Sequence, residues 1–180
     1  DRSHIITLSA PEGDGRERVL DEIAAVMVNH QGERLVADPK GRAVLRISPA
    51  GKYIAKFASV AATRLAMNGI EDVAMLEKTS KTIFISDRDG KAIGRILPRG
   101  TGYELDDPVD VAYDALDQLY VLDRGRSAVL VFGPKNRLVT TITMPNGSPG
   151  AFTRAAALTI DAAGRLFIFD ERAKRVQVYQ

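Results

Sequence analysis

The sequence contains no cysteine and no tryptophan among its 180 residues. The absence of cysteine excludes disulfide frameworks, thiol catalysis, cysteine-ligated zinc and iron–sulfur clusters. The absence of tryptophan weakens the case for carbohydrate binding by ring stacking. No stretch approaches the roughly 20 apolar residues of a membrane-spanning helix. The net charge is only +2, from 25 basic and 23 acidic residues, so bulk charge does not indicate a nucleic-acid or membrane-surface binder.

Four copies of one pattern run along the sequence. In each copy, short runs rich in Val, Ile, Leu, Phe and Tyr are separated by turn residues, and one run ends on an aspartate. We interpret these aspartates as the ends of the second strands, and they lie 49, 36 and 47 residues apart: Asp38, Asp87, Asp123 and Asp170. Such short apolar runs favour strands over helices, and a period of roughly 40 residues is typical of a four-stranded propeller blade.

The copies predict an all-β chain that forms a single β-propeller domain or propeller segment of about four four-stranded blades. Its predicted parts are an outer strand within residues 1–12, blades at 23–59, 70–105 and 108–145, and an incomplete blade at 154–180. The last copy has no fourth strand, and His4–Pro11 resembles Leu138–Pro145, the outer run of the third copy. We expect this N-terminal run to pair either with the last blade, which would close a four-bladed ring, or with a blade outside the sequence.

Two stretches interrupt the strand rhythm. Arg16–Ala25 and Val60–Asn68 have helix-like spacing of apolar residues and no β-branched run. Both fall between the outer strand of one copy and the inner strand of the next. A helical turn is therefore predicted in each of these blade-to-blade connectors.

The third and fourth copies resemble NHL repeats. The similarity is clearest in Pro108–Ala112, Leu119–Asp123 and Arg175–Tyr179, and it extends in degraded form over the whole chain. NHL repeats are the blades of a family of β-propellers that are commonly six-bladed. The resemblance therefore implies the fold, but propellers of this type include binding modules, scaffolds and several enzymes.

Two sets of charged residues follow from the repeat. The four aspartates recur once per copy, so we predict a structural role in which each carboxylate accepts backbone N–H bonds in the next turn. The turns after them are basic, and turns between second and third strands share one face of a propeller. Nine cations are thus expected on one face: Lys40, Arg42, Arg88, Lys91, Arg124, Arg126, Arg172, Lys174 and Arg175. They are either solvated tips paired with local acids or a contact surface formed by Lys40, Arg42, Arg88, Lys91, Arg124, Arg126 and Lys174.

The sequence offers little for catalysis or metal binding. The predicted inner strands are almost wholly apolar, and they comprise Val26–Val28, Val73–Met75, Val111–Tyr113 and Leu158–Ile160. At the predicted channel mouth Asp72 and Asp110 are acidic, and Asp106 and Asp107 lie nearby, but the matching positions Ala25 and Ala157 are not acidic. His4 and His30 stand apart, and no nucleophile elbow or phosphate loop is present. No catalytic residue, metal site or cofactor is therefore predicted.

We predict a non-catalytic protein-interaction or scaffolding module, as an accessory subunit or as a segment of a larger assembly, with a protein partner. Two alternatives stay open: an anion- or RNA-binding propeller that uses the basic face, and a metal-dependent propeller hydrolase or lyase. The chain begins at Asp1 with no leader pattern. That start and the absence of cysteine favour an exported bacterial protein, although a segment of a longer protein would begin in the same way.

Overall fold

The structure, a computed structural model, describes residues 10–11, 17–18, 20–143, 152 and 154–179. The chain divides into two compact units, Asp1–Thr63 and Arg64–Gln180. All regular structure in the described residues is β-strand, apart from one 3₁₀ turn at Pro134–Asn136. No helix in this part of the chain is long and apolar enough to cross a membrane.

The first unit contains a short hairpin and one four-stranded antiparallel sheet. The hairpin pairs β1 (Ala10–Pro11) with β2 (Glu17–Arg18). The first sheet has its strands side by side in chain order: β3 (Ala25–Val28), β4 (Arg34–Asp38), β5 (Ala43–Ile47) and β6 (Tyr53–Ala58). Its core forms around Val36, Leu45 and Ile47, which lie on one face of the sheet, because Val36 is paired with Leu45 and residues two apart on a strand point the same way.

The second unit contains three further antiparallel sheets. The second sheet consists of β7 (Arg64–Met67), β8 (Val73–Glu77), β9 (Thr82–Ser86) and β10 (Ala92–Ile96). A two-strand hairpin of β11 (Arg99–Gly100) and β12 (Tyr103–Glu104) follows. The third sheet consists of β13 (Pro108–Tyr113), β14 (Leu119–Asp123), β15 (Ala128–Gly133) and β16 (Arg137–Thr143). The fourth sheet consists of β17 (Ala155–Ile160), β18 (Leu166–Asp170) and β19 (Arg175–Tyr179).

The third sheet lies between the other two sheets of its unit. Along β14, Leu119 and Val121 pack into a core shared with the second sheet, whereas Leu122 packs into a core shared with the fourth. Successive side chains on a strand point to opposite faces, so a strand covered on both sides is apolar at nearly every position. The continuous apolar run of β15, Ala128–Gly133, has the same cause, because all six of its residues are buried.

The predicted helical turns in the connectors are wrong. Arg64–Met67 within the second stretch is β7, which pairs with β8 in the register Arg64↔Leu76 to Met67↔Val73. In the first stretch, Glu17–Arg18 is β2, Ala25 begins β3, and the described residues between them are not helical. Isolated short helices are marginal, and pairing with a neighbouring strand satisfies the same backbone groups.

Because β7 is a strand, the strands of the second copy are each one place later in their sheet than predicted. The innermost strand of the second sheet is β7 rather than Val73–Met75, which belongs to the second strand, β8. The sheet accordingly begins at Arg64 rather than at the predicted residue 70, and it ends with β10 at Ile96. The predicted outer strand at residues 1–12 lies outside the described residues, except for Ala10 and Pro11.

Candidate functional site

In each of the four sheets with three or four strands, the second strand ends on a buried acidic residue. These residues are Asp38, Glu77, Asp123 and Asp170, with 3%, 8%, 0% and 0% of their surface exposed. The Asp123 carboxylate accepts N–H bonds from Asp106 at 2.6 Å, Asp107 at 3.0 Å and Arg126 at 3.1 Å. It therefore fastens the segment that enters the third sheet to the turn that follows the second strand.

The first and fourth sheets repeat this arrangement. Asp38 accepts N–H bonds from Asp21 and Glu22 at 3.2 Å and from Gly41 at 2.9 Å. Asp170 accepts them from Arg154 at 3.2 Å and Ala173 at 3.0 Å. In both sheets one set of donors precedes the first strand and the other lies in the turn after the second. This arrangement supports the structural role proposed for the strand-end carboxylates.

Asp87 lies elsewhere in its sheet. It follows β9, which is the third strand of the second sheet, and the residue that ends the second strand there is Glu77. The Asp87 carboxylate accepts N–H bonds from Asp89 at 3.0 Å and Lys91 at 2.9 Å within its own turn. The prediction that Asp87 ends a second strand is therefore wrong, because the copy was aligned one strand out of phase.

A second repeated residue was missed by the sequence prediction. An Asn or Asp opens the turn between the first and second strands of each sheet, and its side-chain oxygen accepts the N–H groups of the residues two and four positions later. These residues are Asn29, Asn68, Asp114 and Asp161. Each precedes its strand-end acid by nine residues. This constant spacing is a sequence signal that would have assigned Glu77 correctly.

The basic residues do not share one face. Lys40, Arg42, Arg124, Arg126, Arg172 and Lys174 lie in turns between second and third strands, as predicted, and Arg175 begins β19. Arg88 and Lys91 lie between β9 and β10, the third and fourth strands, which is the opposite end of their sheet. Lys78 and Lys81 hold the equivalent turn in the second sheet. The prediction of nine cations on one surface is therefore wrong for Arg88 and Lys91.

Local acids neutralise part of the basic set. Arg124 contacts Asp107 at 2.7 Å, and Arg126 contacts Glu104 at 2.6 Å. By contrast, Lys40, Arg88, Lys91 and Lys174 make no ion pair with another described residue. A cation that is already paired contributes less to the attraction of an anion, so the turns of the third sheet offer little free positive charge.

One carboxylate connects the inner strands of the second unit. Asp110 on β13 lies 3.5 Å from the Arg64 guanidinium on β7 and accepts an N–H bond from Leu158 on β17 at 2.9 Å. Burial raises the pKa of Asp110, although the N–H groups of Leu158 and Val111 and the charge of Arg64 oppose the rise. Arg64 rather than Asp72 holds the matching position on its sheet, because Asp72 precedes the second strand.

The other candidates for chemistry lie apart. His30 is exposed in the turn between β3 and β4, and His4 lies outside the described residues. Among the residues whose positions are described, no group of three or more His, Asp or Glu side chains is arranged to hold a metal ion.

The fourth sheet has an exposed apolar face. Phe169, Val176 and Val178 are 42%, 59% and 51% exposed. They share one face, because Phe169 is paired with Val176, and Val176 and Val178 are two residues apart on β19 and so point the same way. Their counterparts 47 residues earlier in the third sheet, Leu122, Val129 and Val131, are at most 2% exposed.

Comparisons with known proteins agree with this architecture. The sequence matches the NHL repeat family over residues 105–132, which span the third sheet from its entry to β15. The structure is similar to virginiamycin B lyase from Staphylococcus aureus, solved as an inactive variant with quinupristin: TM-score 0.67, 14% identity, 93% of this chain and 60% of that one. The WD40 β-propeller domain of Doa1 is also similar, with a TM-score of 0.70, 12% identity, and coverage of 93% and 55%. The chain has an NHL-like β-propeller fold.

The propeller neighbours establish the fold and no more. A protein of unknown function from Bacteroides caccae is a third example, with a TM-score of 0.65, 14% identity, and coverage of 90% and 63%. No curated protein matches the sequence significantly. The chain spans about three-fifths of the length of the solved propellers it matches, at 60%, 63% and 55%.

Proposed function

We propose that this propeller is a non-catalytic protein-interaction module of a larger assembly, and that the apolar face of the fourth sheet is its main contact surface. The observation that carries the proposal is the exposure of Phe169, Val176 and Val178 on one face. Two of their counterparts in the third sheet, Leu122 and Val129, are buried in the core that it shares with the fourth sheet. Contiguous exposed apolar residues are typical of interfaces.

The occupant we propose is a β-sheet of a partner subunit. The counterparts Leu122 and Val129 pack against the fourth sheet, so the repeat pattern is built to receive a sheet at this face. Arg172 and Lys174 lie in the turn just before β19 and favour acidic residues at the partner's rim.

The charged inner-strand residues support a non-catalytic role. Asp110 is engaged by Arg64 and by the Leu158 amide, which together connect the three inner strands of the second unit. A carboxylate held in this way stabilises the arrangement of the strands. The similarity to virginiamycin B lyase, at 14% identity, is a similarity of fold.

The mass of the chain in solution tests the proposal. Light scattering after size exclusion is expected to give a mass above that of one chain, because without its partner the exposed face associates with other copies. Val176→Lys combined with Val178→Lys is expected to restore a single-chain mass, since two charges on this face cannot be desolvated cheaply. The association should persist at high salt because it depends on apolar burial.

The matched control places the same two charges on other exposed apolar positions. Leu116 and Val139 are 77% and 57% exposed, in the turn after β13 and on β16. The variant with Leu116→Lys and Val139→Lys should associate like the unmodified chain. A single-chain mass for the unmodified protein, together with a cooperative melt, would overturn the proposal. A single-chain mass for both double variants would overturn it as well.

A further inference from the structure

A cavity of about 310 Å³ lies in the second unit between the second and third sheets. Most of its polar lining comes from two turns between first and second strands, with Asn68 and Asp72 on one side and Tyr113 and Asp117 on the other. Lys135 and Asn136, between the third and fourth strands of the third sheet, complete it. Ile85, Leu119 and Phe132 contribute an apolar part of the wall. Ligand-binding pockets range from about 300 to 1,000 Å³ and combine apolar walls with a few polar groups, so the cavity suits a small ligand.

The charged side chains that line this cavity are Asp72, Asp117 and Lys135, so the net charge of the lining is negative. Neither Asp72 nor Asp117 forms an ion pair with any residue the structure describes. Burial raises the pKa of Asp72, a hydrogen bond with the Asn68 side chain opposes the rise, and the charges of Asp87 and Asp117 add to it. Asp117 uses one oxygen, Oδ1, to accept the Gly69 N–H bond at 3.0 Å. Its other oxygen accepts no hydrogen bond from the residues that the structure describes, so it is available to a cation.

The phenol of Tyr113 lies near the same two carboxylates. Burial raises the pKa of this hydroxyl, and the negative charges of Asp72 and Asp117 raise it further. Within the described residues the Tyr113 hydroxyl makes no hydrogen bond. A half-buried phenol usually finds a hydrogen-bond partner, and Tyr113 lines the cavity, so its oxygen is a third acceptor that a ligand there can use.

The backbone at the rim is strained. Lys135 and Asn136 both line the cavity, and both adopt left-handed conformations, with φ of 58° and 57°. Two consecutive non-glycine residues in this region are uncommon, and such strain occurs preferentially at ligand sites. Asn136 packs so closely on Gly94 of β10 that a Cβ at position 94 would collide with its side-chain nitrogen. The rim is therefore held in place by its contact with the second sheet.

We propose that this cavity binds an organic ammonium group that carries an apolar body. The ammonium is held by the carboxylates of Asp72 and Asp117, with the Tyr113 hydroxyl as a further acceptor. The apolar body packs against Ile70 and Ile93, which line the cavity and are 65% and 51% exposed without a ligand. The same chemistry is offered by a free alkylamine and by a lysine side chain of a peptide. The site is independent of the apolar face of the fourth sheet.

Binding of n-hexylamine, followed by amide chemical shifts or calorimetry, tests the proposal. Hexanol has nearly the same shape without the charge, and hexanoate has the opposite charge. The amine is expected to bind at least about tenfold more tightly than the alcohol, and the carboxylate is expected not to bind. The Nα-acetyl methylamide of lysine distinguishes the source. Binding tighter than that of hexylamine indicates a peptide lysine, weaker binding indicates a free amine, and both outcomes support the ammonium site.

Variants of the chain localise the binding. Asp72→Asn and Asp117→Asn should each weaken hexylamine binding about tenfold, because a charge-assisted hydrogen bond is lost. Asp89→Asn is the matched control, since Asp89 is an exposed turn aspartate that does not line the cavity. Lys135→Met should tighten binding severalfold, because a positive charge at the rim is removed.

Equal affinity for hexylamine and hexanol would overturn the proposal of an ammonium site. Unchanged hexylamine binding in the Asp72→Asn and Asp117→Asn variants would also overturn it. So would the absence of saturable hexylamine binding at about 10 mM, which corresponds to a binding free energy weaker than about 3 kcal/mol.

Discussion

The third and fourth sheets carry the same side-chain pattern in the same register, and they differ in what covers one face. Leu122 pairs with Val129 in the third sheet, and Phe169 pairs with Val176 at the equivalent positions of the fourth. The first pair is fully buried, whereas Phe169 and Val176 are 42% and 59% exposed. Strand pairing is therefore set within each sheet, whereas burial of its faces is set by its neighbours.

This difference has an energetic consequence. Complete burial of a large apolar side chain contributes about 1.5–3 kcal/mol relative to exposure. The third sheet gains this contribution on both faces, because it lies between two cores. The fourth sheet gains it only on the face that carries Leu158, Leu166 and Ile168. A partner that covered the other face would gain this free energy of burial on binding.

The largest expected effect comes from truncating the covered and uncovered counterparts. Leu122→Ala should lower the free energy of unfolding by about 2–5 kcal/mol, because it leaves a cavity in a packed core. Phe169→Ala should lower it by less than about 1 kcal/mol, although more atoms are removed, since this side chain is already partly in water. Urea denaturation of the single-chain species measures both values.

The test is informative because Leu122→Ala removes fewer atoms than Phe169→Ala but is predicted to lower the free energy of unfolding by more. Equal losses would mean that the face of the fourth sheet is covered in solution, for example by another copy. Repeating the measurement on the variant with Val176→Lys and Val178→Lys would separate that case from a wrong assignment of burial.

A smaller effect is expected at a feature that the two sheets share. Asp123 and Asp170 are both fully buried and accept N–H bonds from the turn that follows their strand. Alanine at either position should cost about 2–3 kcal/mol, because buried donors lose their acceptor. The two losses should agree within about 1 kcal/mol, unlike those of Leu122 and Phe169, since these contacts form within each sheet and its own entry segment. Chemical denaturation again provides the measurement.

Asp87→Ala serves as the control for this pair. Asp87 accepts two N–H bonds in an exposed turn after a third strand, so its loss should cost less than about 1 kcal/mol. A cost for Asp87→Ala that matches the cost for Asp123→Ala would contradict the structural distinction between the two aspartates.

Local patterns were enough to predict the strands of the third and fourth sheets. Runs such as Leu119–Asp123 are short, β-branched and aromatic, and their neighbours carry turn residues. The same local information failed for β7, Arg64–Met67, whose Arg, Leu, Ala and Met all favour helices when considered alone. Pairing with β8 overrides that preference, and no property of the four residues themselves indicates it.

The charged sites could be predicted only in part. Asp87 was misassigned because Ile83–Asp87 imitates the run Leu119–Asp123, although the nine-residue spacing from Asn68 to Glu77 identifies the true counterpart. The ammonium cavity could not be predicted from local sequence. Asp72 and Asp117 are 45 residues apart, and they line one cavity because the second and third sheets pack side by side.

The smallest expected effect concerns the pH dependence of stability, where the two sheets should differ in sign. Burial raises the pKa of Asp110 in the third sheet above its ordinary 3.8. The folded state therefore binds more protons than the unfolded state, and this group's contribution falls as the pH rises through the folded pKa. In the fourth sheet, the Arg165 N–H bond and the Arg165 side chain lower the pKa of Asp161, so its contribution to stability is present above pH 3.8 and is lost as the pH falls.

From pH 3 to 7, the Asp110→Asn variant should gain stability relative to the unmodified chain, and the Asp161→Asn variant should lose stability. Denaturation curves across this range measure both slopes, and slopes of the same sign would show that burial does not dominate at Asp110.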